Sequence, residues 1–308
     1  MKTHVINSVY ADTRSADYIA KVKAVYELGK PKVVMLIMFT AVVGMILALP
    51  YHPYDLPWIK IFWSTLGIGL LSSAGAVINH IVDRHADAKM FRTLNRPLPK
   101  GRLNKVTALF VAFTWTTLGL IILLWQANLL VTILTLMAMI GYAIIYTMFL
   151  KRTTPQNIVW GGAAGAAPPL LGWVAMTGEL SLEPVVLFLI IFFWTPAHFW
   201  PLAIQRVEEY RKAKFPMLPV THGIAYTKKQ IVLYSGLLFA TTLLPLVIGM
   251  SGVAYFISAL GLNAMFGFYV YRLYMSAEND GAMRLFAYSI IYLMLLFAFL
   301  LADHFLYL

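Results

Sequence analysis

The chain has 308 residues, of which 60% are hydrophobic and only 12% are charged, and its mean hydropathy is +0.75. Soluble domains carry about 25% charged residues, so this composition excludes a soluble globular protein and indicates an integral membrane protein. The sequence contains no cysteine, which excludes disulfides and thiolate chemistry. We therefore expect an all-α, polytopic membrane fold.

Nine apolar segments follow one another along the chain, each near the ~20 residues that a bilayer requires. Their predicted bounds are 33–50, 58–82, 104–124, 128–149, 156–176, 184–205, 229–249, 252–274 and 284–306. We expect one membrane domain over residues 1–308. Residues 1–32 contain acidic and other polar residues that are atypical of a signal or transit peptide. They are therefore predicted to form a tail, which we expect to be cytoplasmic.

The basic residues predict the orientation of the chain in the membrane. Of 24 Lys and Arg residues, only Lys60 lies on one side, and the others lie in the tail and connections of the opposite side. Such an excess marks the cytoplasmic face of a membrane protein. The N-terminus is thus predicted inside and, after nine crossings, the C-terminus outside. The net charge of +11 then reflects topology in a lipid bilayer, and we expect no nucleic-acid partner.

Asn79, Asp83 and Asp87 follow each other at a spacing of four, where the second apolar segment meets a basic loop. Residues four apart nearly eclipse in an α-helix, so the three side chains form one stripe. Oxygen-bearing side chains at the edge of the hydrocarbon layer are costly unless they bind a partner. Mg²⁺ takes such ligands and bridges them to phosphate oxygens. The stripe is about 12 Å long and suits several ions on a diphosphate.

A second acidic block follows the sixth segment, where Glu208 and Glu209 precede basic residues and a proline-rich loop. The first block has the same layout, and four segments separate the two, so both are predicted to face the cytoplasm. The parallel is typical of a faint internal duplication. Basic side chains rim the same face and are predicted to bind the remaining phosphate oxygens. Those residues are Arg84, Arg92, Arg96, Lys151, Arg152 and Lys212.

Two acidic helix ends and a basic rim above an apolar cavity favour ionisation of an allylic diphosphate. Metal ions and cationic side chains stabilise the leaving group, and the carbocation attacks an electron-rich acceptor. An aromatic face such as that of Tyr146 stabilises the carbocation. The sequence therefore predicts that Asp83, Asp87 and Tyr146 act in catalysis.

Three separated blocks of sequence carry more specific patterns. The first is Asn79-x-x-x-Asp83-Arg84-x-x-Asp87 with Met90, Arg92-Thr93 and Asn95-Arg96-Pro97-Leu98. The second runs from Tyr146 to Pro155 and on through Asn157-Ile158-Val159, Gly161-Gly162 and 167–173. The third comprises 194–200, Glu209-Tyr210-Arg211-Lys212-Ala213 and 215–220. Together these blocks resemble the UbiA-type prenyltransferases, and more narrowly the branch that farnesylates protohaem IX. The resemblance extends over about 30–305 and is concentrated in 79–220.

The resemblance implies nine transmembrane helices bundled around a central cavity. It also implies transfer of farnesyl from farnesyl diphosphate to the 2-vinyl group of haem b, with Mg²⁺, giving haem O and diphosphate. The location would be the cell inner membrane, in terminal-oxidase assembly, with haem A synthase or oxidase assembly factors as partners. Diphosphate would contact Asn79 and the basic rim. The metal ligands would be Asn79, Asp83, Asp87, Glu208 and Glu209.

Two positions depart from the pattern of that branch. Glu209 replaces the usual Asp of the second block, so either Glu208 or Glu209 is the second-site ligand. His85 replaces the middle acid of the first block, while Asp83 and Asp87 remain, so metal binding is expected to survive.

His198 lies within an apolar segment beside aromatic residues, where a polar group needs a partner. For a haem acceptor it is predicted to ligate the iron or to remove a proton after the carbocation adds. A hydrogen-bonded core histidine is the alternative. His80 is one position off the acidic stripe and is expected to be structural, and the small residues of 161–169 are expected to mark close helix packing.

Two other functions share part of these features. A UbiA-type prenyltransferase for a quinone precursor or another aromatic acceptor would use the same diphosphate site, although 194–200 and 216–219 favour haem. A transporter of an anionic solute would use the carboxylates to couple cations. It would also need broken helices at the bilayer midplane, whereas these acids cluster at one face.

Overall fold

A computed structural model describes residues 18–49 and 55–307, and every regular element in these ranges is helical. The all-α prediction is therefore confirmed. The helices are α1 Tyr18–Leu28, α2 Pro31–Leu47, α3 Trp58–Asp87, α4 Lys105–Gln126, α5 Leu129–Thr153, α6 Asn157–Thr177, α7 Leu182–Gln205, α8 Val207–Lys212, α9 Leu218–Thr221, α10 Gly223–Val247, α11 Val253–Met275 and α12 Ala282–Tyr307.

Eight of the described helices are long and apolar enough to cross a membrane, namely α3 to α7 and α10 to α12. The ninth span is the bent pair α1 and α2, which meet at 50°. Lys30 makes this bend in the left-handed backbone region, with φ of 49°, and Pro31 then begins α2. The prediction of nine spans agrees with the structure when this pair counts as one. Residues 1–17 of the predicted tail and the predicted end of the first span at 50 lie outside the described residues.

Several helices extend beyond the apolar segments that predicted them. α3 continues five residues past position 82 to Asp87, and α10 begins at Gly223 instead of 229. Hydropathy detects only the part of a helix that lies in hydrocarbon, so the apolar segments stop before these polar helix ends. The spacing of Asn79, Asp83 and Asp87 predicts that α3 is helical to Asp87, and this prediction is confirmed. Glu208 and Glu209 also do not end the sixth span. That span, α7, stops at Gln205, and both acids lie in the separate short helix α8.

Close backbone packing joins α2 to α6. A Cβ on Gly44 would overlap the backbone carbonyl of Pro169, so only glycine allows this approach. One core cluster packs α7 against α6, α10, α11 and α12, a second joins α2, α3, α5 and α6, and a third joins α1, α3 and α4. These contacts bring the end of α3, the bend at Lys30 and the end of α5 to one end of the bundle.

The last part of α5 is a π-helix over Gly141–Leu150. Thr147 Oγ1 donates to the backbone oxygen of Tyr142, five residues earlier, at 2.8 Å. Such segments occur often at functional sites because they change the direction of side chains within a helix. Here the π-helix directs Tyr142, Tyr146 and Thr147 towards the acidic end of α3.

Candidate active site

The predicted acidic stripe lies on one buried face of α3. Asn79, Asp83 and Asp87 are 3%, 0% and 4% exposed. Asn79 Nδ2 donates to Asp83 Oδ2 at 2.9 Å, as the spacing of four residues predicts. Three buried oxygen-bearing side chains on one helix face need partners from other helices, because buried polar groups are costly when unpaired.

Asp83 takes its partners from the end of α5. Lys151 Nζ donates to Asp83 Oδ2 at 2.5 Å, and the Lys151 side chain is only 15% exposed. Arg152 Nη2 lies 3.5 Å from Asp83 Oδ1, which is an ion pair without hydrogen-bond geometry. Asp83 Oδ1 is therefore a buried carboxylate oxygen with no hydrogen-bond donor among the described residues.

Asp87 is paired with the loop that follows α3. Arg96 Nη1 donates to Asp87 Oδ2 at 2.7 Å. Thr93 Oγ1 donates to the backbone oxygen of Asp87 at 2.9 Å, which folds the loop back over the helix end. Arg96 is thereby held over the acidic stripe, where the sequence placed it.

Asn79 binds residues that sequence reasoning missed. Lys30 Nζ donates to Asn79 Oδ1 at 2.6 Å and lies 3.1 Å from the Tyr142 hydroxyl, and Asn79 Nδ2 also donates to Thr147 Oγ1 at 3.1 Å. Lys30 was interpreted only as a topology charge. The Lys-Pro pair directly before an apolar segment is the one sequence signal that could have indicated a bend facing the site.

The second acidic block separates its two glutamates. Glu209 pairs with Arg206, its side chain is 23% exposed, and its Oε2 is buried without a donor among the described residues. Glu208 pairs with Arg211, and its side chain is 65% exposed. A buried carboxylate oxygen without a donor suits a bound cation, whereas an exposed ion pair on a surface helix does not require one.

Tyr210 connects α8 to the loop after α3. It is buried, and the positive charge of Arg92 acts on its hydroxyl group. Burial raises the pKa of the Tyr210 hydroxyl above its ordinary value, so the group is neutral at physiological pH. The neutral Tyr210 hydroxyl keeps its hydrogen and can donate it to an anion.

Lys151 joins the two acidic blocks. Its Nζ bonds Asp83 and also lies 4.6 Å from the centroid of the Phe215 ring, a cation–π contact. Phe215 follows α8 directly, and its backbone N–H donates to the Tyr210 backbone oxygen at 3.0 Å. The ends of α3, α5 and α8 thus face one space, although four apolar segments separate the two acidic blocks in sequence.

Tyr146 packs between these groups. Its ring stacks on that of Tyr142 with centroids 5.8 Å apart and planes 18° apart. On another side it lies against Gly161 of α6, where a Cβ would overlap the ring. The close packing expected for residues 161–169 is present at this point, and it holds the aromatic face beside the acidic end of α3.

Three predicted phosphate-binding residues make fewer contacts with the cluster. Arg84 Nη1 donates at 2.9 Å to the backbone oxygen of Ile81 in its own helix. Arg152 is 46% exposed and donates to the Val82 backbone oxygen at 3.3 Å. Lys212 is exposed at the end of α8 and makes no ion pair within the described part of the chain.

His198 lies on α7, apart from the acidic cluster. Its Nδ1 is 2.6 Å from Ser289 Oγ of α12, and its ring is stacked between Trp194 and Phe286 at centroid distances of 4.2 and 4.6 Å.

His80 is buried on α3, and both of its ring nitrogens lack a hydrogen-bond partner among the described residues. The expected structural role of His80 therefore finds no hydrogen bond to support it.

The donor set fits Mg²⁺ shared with a phosphate ligand. Mg²⁺ is usually held by one or two carboxylates together with substrate phosphates. Asp83 Oδ1 and Glu209 Oε2 are buried oxygens without a donor, which suits that arrangement. Within residues 18–49 and 55–307, no three His, Asp or Glu side chains converge to hold an ion by themselves.

Comparison with known proteins gives the class of this chain. A model of the UbiA prenyltransferase family matches residues 37–302. The chain therefore belongs to the UbiA prenyltransferase family and is a multi-pass membrane prenyltransferase. The fold agrees with a digeranylgeranylglyceryl phosphate synthase, with a TM-score of 0.77 at 19% identity, covering 92% of this chain and 99% of that one. It also agrees with a UbiA homologue from Archaeoglobus fulgidus bound to DMAPP and Mg²⁺, with a TM-score of 0.63 at 16% identity, covering 92% and 99%.

Similar proteins narrow the class to one activity. The chain is 52% identical to the protoheme IX farnesyltransferase of Thioalkalivibrio sulfidiphilus, over 95% of this chain and 96% of the relative. It is 55% identical to that of Nitrosococcus oceani over 91% and 92%, and 50% identical to that of Colwellia psychrerythraea over 98% and 97%. The predicted resemblance to this branch is confirmed.

Proposed function

We propose that this chain transfers the farnesyl group of farnesyl diphosphate to the 2-vinyl group of haem b with addition of water, giving haem O and diphosphate. The observation that carries the proposal is the convergence of buried carboxylates and cations from α3, α5 and α8 at one end of the bundle. The names of relatives about 50% identical along nearly the whole chain support the same acceptor and donor.

The diphosphate binds between the acidic blocks. Lys151 and Arg96 bind carboxylates there and can transfer their hydrogen bonds to phosphate oxygens. Arg92 acts on Tyr210 nearby and adds a further cation. Tyr210 adds a neutral hydroxyl donor. Arg84, Arg152 and Lys212 form the outer part of the basic rim and contribute by charge at longer range. Asn79, with its side-chain oxygen on Lys30, orients that lysine towards the same space.

Asp83, Asp87 and Glu209 would hold the metal ions that accompany the diphosphate. Mg²⁺ would neutralise the charge that develops on the leaving group, and a homologue of the same fold binds DMAPP and Mg²⁺. Of the two glutamates we assign this role to Glu209, because its Oε2 is buried and lacks a donor while Glu208 is exposed on Arg211. The side-chain oxygen of Asn79 already accepts from Lys30, so we assign Asn79 to positioning that lysine and not to the metal.

The bond from farnesyl carbon to diphosphate oxygen breaks at this end of the bundle, and the allylic cation then adds to the outer carbon of the vinyl group. Water captures the cation left on the inner vinyl carbon and loses a proton, which gives the hydroxyl group of haem O. Tyr146 stacks on Tyr142, whose hydroxyl lies 3.1 Å from Lys30 Nζ at the acidic end of α3, and it stabilises the allylic cation through its aromatic face. His198, half-buried on α7, contacts the acceptor and ligates the haem iron through its free ring nitrogen.

An assay of purified protein with haem b, farnesyl diphosphate and Mg²⁺ tests the proposed reaction. We expect a farnesylated haem by mass spectrometry, lost when EDTA removes the metal. A parallel reaction with a hydroxybenzoate in place of haem distinguishes the other UbiA-type acceptors. A prenylated hydroxybenzoate without a haem product would overturn the haem assignment and retain the prenyltransferase.

The site faces the cytoplasm of the inner membrane in our proposal, with the N-terminus inside and the C-terminus outside. There the product would pass to a haem A synthase or to oxidase assembly factors. Because the chain lacks cysteine, single cysteines report sidedness without background. We expect an impermeant maleimide to label Leu180→Cys in intact cells and Lys89→Cys only after lysis. The reverse pattern would contradict the orientation.

A further inference from the structure

The imidazole of His198 contacts Ser289 of α12, and Ser289 in turn bonds the backbone of its own helix. His198 Nδ1 lies 2.6 Å from Ser289 Oγ, and Ser289 Oγ lies 2.6 Å from the backbone oxygen of Phe286. Ser289 is fully buried, so water does not replace either partner. Each of these two contacts needs one hydrogen between its heavy atoms, because lone pairs at that distance repel.

Counting hydrogens assigns the tautomer of His198. A carbonyl oxygen has no hydrogen, so the contact with Phe286 is satisfied only by the single hydroxyl hydrogen of Ser289. The second contact must then take its hydrogen from the imidazole. His198 therefore carries its proton on Nδ1 and donates it to Ser289, which leaves an in-plane lone pair on Nε2.

Stacking fixes the direction of that lone pair. Trp194 and Phe286 cover the two faces of the ring, with planes inclined by 9° and 21°. Trp194 is itself anchored, because its indole Nε1 donates to the Ser289 backbone oxygen at 2.8 Å. The imidazole can neither flip nor rotate without breaking these contacts, so Nε2 points away from α12 in one direction.

We propose that Ser289 is a positioning residue that keeps His198 in the Nδ1–H tautomer, so that Nε2 is the ligand of the substrate's haem iron. This inference rests on the proposed function, in which His198 ligates the iron. A hydrogen bond from Nδ1–H also makes Nε2 a stronger donor to a metal, which is how partners of metal-bound histidines commonly act.

Titration of purified full-length protein with haem b in detergent tests this role. We expect Ser289→Ala to weaken haem binding roughly tenfold, the cost of one buried hydrogen bond. Ser289→Thr keeps the hydroxyl and should retain most of the affinity. In the ferrous complex, the iron–histidine stretching frequency measured by resonance Raman should fall in Ser289→Ala and return in Ser289→Thr. A purely structural role for Ser289 would not move that frequency.

Controls separate the two levels of the proposal. His198→Ala should remove the iron–histidine band altogether, and an unchanged haem spectrum in that variant would overturn ligation by His198 and with it the role of Ser289. If His198→Ala loses the band while Ser289→Ala matches the parent in band and affinity, ligation stands and Ser289 is not the positioning residue. The farnesyl-transfer assay on the parent protein tests the reaction independently of both results.

Discussion

Lys151 and Asp83 form a buried ion pair between α5 and α3, with Nζ 2.5 Å from Oδ2. The same lysine packs on Phe215 beyond the second acidic block. One side chain thus connects both acidic blocks, although 68 residues separate it from Asp83 in sequence. Asp83 Oδ1 has no hydrogen-bond donor among the described residues, so it can bind a metal ion while the neighbouring Lys151 binds a phosphate oxygen.

Asp83→Asn should reduce farnesyl transfer by at least roughly a hundredfold, because the amide keeps the shape but loses the charge that holds a metal. It also leaves Lys151 as a buried cation without its partner, so the thermal midpoint should fall. Product formation by mass spectrometry and unfolding in detergent measure the two effects. Near-normal turnover in this variant would refute the ligand role.

The double variant Asp83→Asn with Lys151→Met separates stability from catalysis. Removing both charges avoids the buried, unpaired cation, so we expect the thermal midpoint to recover towards that of the parent. Activity should stay low, since neither metal ligand nor phosphate donor is restored. Recovered activity would show that the pair serves packing alone.

Glu209→Gln and Glu208→Gln form a matched pair in adjacent positions of one short helix. We expect Glu209→Gln to lower activity by roughly ten- to a hundredfold, because the donor-free buried oxygen is lost. Glu208→Gln should stay close to the parent, because its exposed pair with Arg211 contributes little. Initial rates over a Mg²⁺ titration check both, with a raised Mg²⁺ requirement expected only for Glu209→Gln. The opposite ranking would move the second-site ligand to Glu208.

Tyr146→Phe keeps the aromatic face and should retain activity within about threefold, whereas Tyr146→Leu should lose roughly tenfold in turnover. The comparison isolates the ring from the hydroxyl. Gly161→Ala provides an independent perturbation, since the added Cβ would displace the ring from outside the site. Equal activity of the Leu and Phe variants would remove the cation-stabilising role.

Asp303 is a stability element at the other end of the bundle. Its carboxylate accepts from the backbone N–H groups of Gly252 and Tyr255 at 2.5 and 3.0 Å, which caps the N-terminus of α11 from α12. Asp303→Asn should cost about 1–3 kcal/mol of stability through loss of charge at a helix N-terminus. Thermal unfolding measures this loss, and activity at a permissive temperature should be unchanged. A specific loss of activity without destabilisation would contradict a structural role.

Sequence alone determined the helical membrane class and the acidic stripe on α3. Hydropathy is a local property of about 20 residues, and the spacing of Asn79, Asp83 and Asp87 fixes their common face through helix geometry. The sequence also indicated the family, because the order and spacing of its separated blocks can be read without any knowledge of the fold.

Only the tertiary structure decided which of these residues meet and which partners complete them. The contact of Lys30 with Asn79 and that of Ser289 with His198 join positions 49 and 91 residues apart. Such pairs depend on how whole helices pack, and no periodicity within one helix encodes them. The choice between Glu208 and Glu209 likewise followed from burial, because adjacent residues on a helix face directions about 100° apart and only packing selects the buried one.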